Sequence, residues 1–516
     1  MSISSGLSIG DLIARNARLY GDRPAFVQGQ RRLSHVDYFA RCLRLADAIY
    51  AAGARRQDRV AILSMNSIEF AEVYGACEVA GFIISTLNFR LAPKELAYIL
   101  RETAPGILIF EEQYADVVDQ LRSEAHSVRA WVCIGAPPPW AAAYEDFLSQ
   151  GGADGPPIRS REDDVAHLIY TSGTTGRPKG CILGHGESLN KAQFHASDCA
   201  LTAEDSVLIL MPLFHVGARG VESGAQWRGA AVHLERKFTP ELFIRTVASE
   251  RITIGHLAPT MVQEVLEDPL VEQADLSSLR AIFYSSAPMP LPVLRRGLHI
   301  LGNVFHQSYG QTEGAISSLQ RWQHRPDGDA RDLRRLTSVG QPYPGVEVRI
   351  VDEAGNEAPL NTPGEIVYRG GSAFRGYWNN SVATAEAVRD GWIYSGDIGQ
   401  LDKDGYLYIV DRKKDMIVSG GENIYSREVE DAIASHEDVA ECAVIGVPHA
   451  RWGETVRAIV VLREGGKATE SDIIESCRSR IASYKKPTSV VFCPALPKVN
   501  GKINKQEVKA LYGGAS

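Results

Sequence analysis

Thr171-Ser172-Gly173-Thr174-Thr175-Gly176-Arg177-Pro178-Lys179-Gly180 packs hydroxyls, glycines and two cations into one short segment. Glycines let the backbone approach a ligand closely. Thr and Ser add neutral hydrogen bonds, and Arg177 and Lys179 add charge-assisted ones. The combination suits a polyphosphate. It is not a Walker loop, which needs Gly-x-x-x-x-Gly-Lys-Ser/Thr opening a helix; here Pro178 precedes the lysine. The flanks, Val165 to Tyr170 and Cys181 to Leu183, are short and apolar, so the segment reads as a glycine-rich loop between two strands. A solvated hairpin would carry the same composition.

Working outward, the chain has 516 residues, more than one core usually supports, which sets an expectation of three or four structural units. A 44% hydrophobic and 23% charged composition is that of a globular protein. The net charge of −8 argues against nucleic-acid binding, which normally leaves a basic excess. The eight cysteines include no Cys-x-x-Cys pair, which favours reduced thiols over a disulfide framework or zinc site. The amino-terminal segment Ser8 to Tyr20 is amphipathic, with Ser8 placed as a helix cap, and lacks a signal peptide's apolar core. No apolar run is long enough to span a bilayer. A cytoplasmic location is expected.

Gly151 to Pro157 reads as a linker, and Arg325 to Arg335 as a charged surface connection. Between them, strand candidates (Ser206 to Met211, Ala281 to Tyr284, Asn303 to Phe305) alternate with helix candidates (Pro240 to Glu250, Pro259 to Glu267). Such alternation predicts layered α/β units. From Val346 to Val410 the pattern turns strand-rich, with candidates at Val346–Val351, Glu365–Arg369 and Tyr406–Val410. After Asp411 come a helix over Arg427 to Ser435, strands Val439 to Val447 and Val456 to Leu462, and a helix over Ser471 to Ser483. The expected division is a large domain over 1–410 and a small α+β domain over 411–516.

Further short motifs bear on chemistry. In Tyr309-Gly310-Gln311-Thr312-Glu313-Gly314, Thr312 suits a phosphate, Glu313 suits Mg²⁺, and Tyr309 offers a flat face for a purine. Tyr394-Ser395-Gly396-Asp397-Ile398-Gly399 sets one acid in a glycine-flanked turn, able to accept from both hydroxyls of a ribose. Ser419-Gly420-Gly421-Glu422-Asn423 is a second glycine-rich loop, and Pro497 to Lys502 puts a lysine after a glycine in a basic tail. Each alone fits an ordinary turn or a solvated lysine equally well.

Their order does not. With Met211-Pro212-Leu213-Phe214-His215 and Asp411 to Glu430, the motifs span more than 300 residues, and the chain resembles the adenylate-forming superfamily of acyl- and aryl-CoA ligases, luciferases and peptide-synthetase adenylation domains. The resemblance implies that residues 171–180, with Thr171, Ser172, Gly173, Thr174, Thr175, Gly176 and Lys179, close over the phosphates of ATP. It implies that Tyr309 and Gly310 meet adenine beside Ser286, Ala287 and Pro288, that Thr312 touches the α-phosphate, and that Glu313 holds Mg²⁺. Asp397 and Arg412 would hold the ribose, and Lys502 would bridge carboxylate and phosphate during adenylation. Lys414 matches a hinge, Ser419, Gly420, Gly421 and Glu422 a tunnel for the thiol of coenzyme A. His215, Val216, Gly217, Ala218 and Arg219 would line or approach the acyl group.

Within the superfamily, His215 stands where amino-acid-activating domains carry Asp, and Val418 where luciferases carry a lysine. An acid–CoA ligase for a fatty or aromatic acid follows, working as a monomer or homodimer; a dicarboxylate ligase and an enzyme loading a carrier protein are the alternatives. Arg219 either binds a second carboxylate or a polar substituent of the acid, or turns outward into a salt bridge. Two departures stand out: Ser285-Ser286 replaces a usual Gly-Gly before Ala287-Pro288, and Ser426 replaces a usual proline, where it is expected to cap a helix.

Overall fold

The computed structural model describes residues 6–171, 178–419, 422–499 and 502–514, the side chains of Val499 and Lys502 excepted. The chain forms two compact units: Met1–Glu347 with Arg369–Ile393, and Val348–Tyr368 with Tyr394–Ser516.

Two mostly parallel sheets organise the first unit. One has nine strands; its six consecutive parallel members are Pro24–Gln28, Ala231–Leu234, Ser206–Ile209, Ile254–Leu257, Ala281–Tyr284 and Phe305–Gln311. The other has seven, with Arg59–Leu63 and Ile83–Thr86 central and the antiparallel pair Val165–Thr171 and Lys179–Gly184 at one edge. Inward residues of both sheets, Phe26, Ile209 and Phe283 from one and Ile62, Ile84 and Ile109 from the other, join a single apolar core. Helix Ile68–Ala80 lies in that core with every residue buried, and it therefore has no polar face. Outer helices cover the far faces: Pro240–Glu250, Pro259–Glu267 and Leu291–Leu301 on the nine-stranded sheet, Pro93–Thr103 and Ala115–Leu121 on the seven-stranded one.

Local chemistry explains these elements. Thr239 caps the helix that begins at Pro240, accepting from the Leu242 N–H, and proline is preorganised for that first position. Ser8 forms a capping box with Asp11 at the start of Ile9–Tyr20. The strand expected over Asn303 to Phe305 instead runs Phe305–Gln311. Its polar residues hid it: His306, Gln307 and Ser308 break the apolar run yet each is paired, with Asp198 (3.2 Å), Tyr284 (3.3 Å) and Tyr343 (2.9 Å). Within the supposed connection Arg325 to Arg335, Asp329 accepts from the Arg331 and Asp332 N–H groups and starts helix Ala330–Arg335.

In the second unit, a sheet of Glu422–Ile424, Ile417–Ser419, Gly453–Leu462 and Val439–His449, extended by Ser489–Phe492, carries helices Ser426–Ala434 and Glu470–Arg478 on one face and Lys505–Tyr512 on the other. Ser426 does not cap its helix; Tyr425 holds that position without a side-chain bond. The Ser426 hydroxyl donates instead to Asp411 Oδ1 at 3.0 Å, and its N–H donates to the same carboxylate. Asp411 thus supplies the anion that a helix N-terminus favours. Lys505 donates to the Ser426 hydroxyl (2.5 Å) and pairs with Glu430 (2.7 Å). Among the described residues no helix is long and apolar enough to cross a membrane, and all eight cysteines are free thiols.

Candidate active site

The glycine-rich segment 171–180 is flanked by the expected strands, whose last paired residues are Thr171 and Lys179. Ser172, Gly173, Thr174, Thr175, Gly176 and Arg177 lie outside the described residues, as do Gly420 and Gly421. The Lys179 ammonium sits 5.0 Å from the centre of the Tyr377 ring, a cation–π distance. The Tyr377 hydroxyl donates to Glu313 Oε1 at 2.7 Å, and burial followed by the charge of Glu313 pushes that phenol's pKa up.

Thr312 and Glu313 form the two-residue connection between the antiparallel strands Phe305–Gln311 and Gly314–Leu319. Gly310 opposes Gly314 and Ala315 so closely that a Cβ there would lie 2.7 Å from the Gly314 carbonyl oxygen. Tyr309 is buried at the register shift beside it. The turn is held from below: Lys191 Nζ donates to the Thr312 carbonyl at 3.2 Å, and the Phe374 N–H to that of Glu313 at 2.7 Å. Burial lowers the Lys191 pKa to about 8. Lys191 and Tyr377 escape a reading of the sequence, although a lysine among Ser188, Ala192 and His195 on the buried face of helix His185–Asp198 is a visible anomaly. Glu313 is part-exposed, so its carboxylate offers the anionic oxygen that Mg²⁺ takes beside phosphates.

His215 occupies the N-cap position of helix Val216–Arg228, with no side-chain cap bond. The segment before it is fixed by three residues on other elements. Asn66 bonds the Met211 carbonyl and the Leu213 N–H, at 3.0 and 2.8 Å; Tyr74 and Thr86 donate to the carbonyls of Leu213 and Phe214, at 3.0 and 3.2 Å. Val216 and Gly217 are part-exposed and Ala218 is buried.

Arg219 forms the salt bridge expected as one of its two readings, but turned inward rather than outward. It is 3% exposed, ion-paired with Glu78 and Glu222, and its guanidinium lies 4.4 Å from the centre of the Tyr74 ring. Glu78 also meets His167 at 2.8 Å. Burial pushes the Glu78 pKa up, but Arg219 and His167 outweigh it and hold it below the usual carboxylate value.

Ser285, Ser286, Ala287 and Pro288 follow strand Ala281–Tyr284. Ser286 has φ of 77°, the left-handed region where a glycine sits without strain. Ser285 Oγ lies 3.2 Å from His256 Nε2.

In the second unit, Asp397 and Arg412 are direct cross-strand neighbours, with Arg412 Nε 3.5 Å from Asp397 Oδ1; Asp397 is buried and Arg412 exposed. Lys414 follows in the turn after Leu407–Arg412, its pKa lowered by burial. Ser419 pairs with Glu422 across the hairpin of the second glycine loop. Lys502 starts a short strand antiparallel to Lys498–Val499.

These ordered motifs on two layered α/β sheets and a separate α+β unit agree with the comparisons. The family model for AMP-binding enzymes matches residues 13–378, and that for the AMP-binding enzyme C-terminal domain matches residues 428–502. The chain belongs to the AMP-binding enzyme family. It is 37% identical over 98% of its length to a feruloyl-CoA synthase of an Amycolatopsis species, covering 99% of that protein. It is 35% identical to an indoleacetate–CoA ligase of Aromatoleum aromaticum, covering 98% of each chain. The structure of ATP-bound MatB from Rhodopseudomonas palustris superposes with a TM-score of 0.89 at 28% identity, over 98% of this chain and 99% of that one. Like these AMP-binding enzymes, the chain is an AMP-forming, ATP-dependent acid–CoA ligase.

Proposed function

We propose that the acid is an aromatic monocarboxylic acid. What carries this reading is the likeness, across nearly the whole chain, to relatives named for ferulate and indoleacetate. Gly217 and Ala218 are compatible with it, since small residues at the start of helix Val216–Arg228 leave room for an aromatic ring as for an alkyl chain. Arg219 already has two carboxylate partners, which speaks against a dicarboxylate substrate.

In the proposed reaction a carboxylate oxygen attacks the α-phosphorus of ATP, and the bond to pyrophosphate breaks. Two anions meet, so fixed cations must offset the charge that builds on the phosphoryl oxygens. Lys179 and the 171–180 loop hold the phosphates, Thr312 holds the α-phosphate, and Lys502 supplies the cation at the carboxylate. One ammonium about 4 Å from an anion contributes on the order of 4 kcal/mol before desolvation, at an effective dielectric near 20. Asp397 and Arg412 hold the ribose, and Tyr309 with Ser286 to Pro288 the adenine. Glu313 would hold Mg²⁺, which when bound neutralises phosphate charge.

In the second step the sulfur of coenzyme A attacks the acyl carbon, the thiol proton is lost, and AMP leaves. Ser419, Gly420, Gly421 and Glu422 line the path of that thiol, His215 stands at the acyl group, and Lys414 is the hinge on which a small mobile domain, residues 411–516, exchanges the two sets of residues. Both nucleotide and thiol co-substrates belong to the cytoplasm, which is where the enzyme is placed.

Pyrophosphate release and thioester mass, measured for separately supplied benzoates, cinnamates, arylacetates and fatty acids, test the reading. Turnover confined to fatty acids or dicarboxylates would refute it.

A further inference from the structure

Gly217 borders a recess that apolar acyl binding does not explain. A Cβ built on it would lie 3.7 Å from His256 Cε1, 3.9 Å from His215 Nδ1 and 4.0 Å from Ser285 Oγ. These are ordinary contact distances, so the glycine leaves room for about one methyl-sized group between three polar side chains. Gly217, His215 and Ser285 are part-exposed, and His256, on strand Ile254–Leu257, is 1% exposed behind them.

One polar atom of that wall, on His256, is unmet among the described residues. His256 Nε2 bonds Ser285 Oγ, while its Nδ1 has no hydrogen-bond partner among the described residues. Cε1, the carbon between the two ring nitrogens, is the His256 atom nearest a Cβ built on Gly217. Phe283 packs edge-on against the same ring, with centroids 5.7 Å apart, and fixes its plane. Burial, with His195 and His215 nearby, lowers the His256 pKa to about 3, so the ring is neutral in ordinary buffers. An unpartnered buried polar atom is unfavourable, and a bound group can satisfy it. A neutral imidazole beside a hydroxyl gives a carboxylate no charge to pair with. It matches a group that both donates and accepts one hydrogen bond.

We propose that His256 and Ser285, beside Gly217, form a specificity recess for a hydroxyl substituent on the aromatic acid. This rests on the reading that the acid is aromatic and that residues 215–218 approach its acyl group. The serine at 285 then has a purpose that a glycine would not serve.

The test uses matched acids with the full-length enzyme, ATP, magnesium and coenzyme A: benzoate, cinnamate and phenylacetate, each against its 2-, 3- and 4-hydroxy forms. In at least one series a hydroxylated acid should exceed its parent in kcat/KM by about tenfold or more, because a site built to bond a hydroxyl rejects the analogue lacking it. Ser285→Ala and His256→Phe should each pull that ratio toward one. Ser285 is part-exposed, so Ser285→Ala decides the question even where melting shows His256→Phe misfolded. Ratios near one or below throughout the wild-type panel, or a ratio unmoved in Ser285→Ala, overturn the recess while leaving an aryl–CoA ligase. No thioester from any of these acids overturns the reading beneath it.

Discussion

Arg219 and Glu78 face each other 141 positions apart in sequence, inside the core between the two sheets, with side-chain exposures of 4% and 0%. Glu222, one turn along the same helix as Arg219, closes the cluster. The three charges hold one another in place in a region where water cannot. Removing the cation leaves two buried carboxylates, and breaking a buried pair this way costs about 3–5 kcal/mol. Arg219→Leu should lower the urea midpoint accordingly. Where enough enzyme folds, its preference for monoacids over dicarboxylates should stay as in wild type; a switch would place Arg219 at the substrate.

Ser286 supplies a second stability test. Its φ of 77° is costly for an L-residue, by about 1–2 kcal/mol, while glycine loses part of that gain through the freedom of its unfolded chain. Ser286→Gly should therefore raise unfolding free energy by about 0.5–1 kcal/mol in denaturant melts, and Ser286→Val should lower it. Strain of this kind concentrates at functional sites, so the stabilised variant is also informative about ATP affinity.

Five buried histidines set the acid limit. Burial lowers the pKa of His185, His195, His233 and His324 to about 4 and of His256 to about 3. The unfolded chain takes up protons near 6.5, before the fold does, so it binds more protons between those values. Stability is therefore full above about pH 6.5 and falls as pH drops toward 4, by about 1.4 kcal/mol per pH unit for each such histidine. Thermal melts from pH 7.5 to 4.5 should show this slope, and His233→Phe should make it shallower.

Lys502→Ala separates the half-reactions. Acid-dependent pyrophosphate release should fall by orders of magnitude, while transfer to coenzyme A from supplied acyl-AMP stays largely intact. Equal loss in both would contradict the two-arrangement account.

Much of this was readable in sequence because it is local. Proline at the first turn marks Pro240–Glu250 and Pro259–Glu267, and a short apolar run between turn residues marks Ala281–Tyr284. The site motifs are contiguous, and Asp397 and Arg412 prove to be cross-strand neighbours in one hairpin. What stayed hidden depends on distant partners. Nothing near Arg219 announces Glu78, and nothing near Ser426 announces that Asp411 takes its hydroxyl. Helix Ile68–Ala80 is buried all round, so it has no period to read. The helix expected to run to Ser483 ends at Arg478.

The most direct measurement is a competition: full-length enzyme with limiting coenzyme A, ATP and magnesium, and an equimolar mixture of aryl acids and fatty acids of six to sixteen carbons. Thioesters are read by mass, and AMP and pyrophosphate are counted alongside. Aryl-CoA should dominate, with one AMP and one pyrophosphate per thioester. Acyl-CoA products drawn chiefly from the fatty acids would contradict the account.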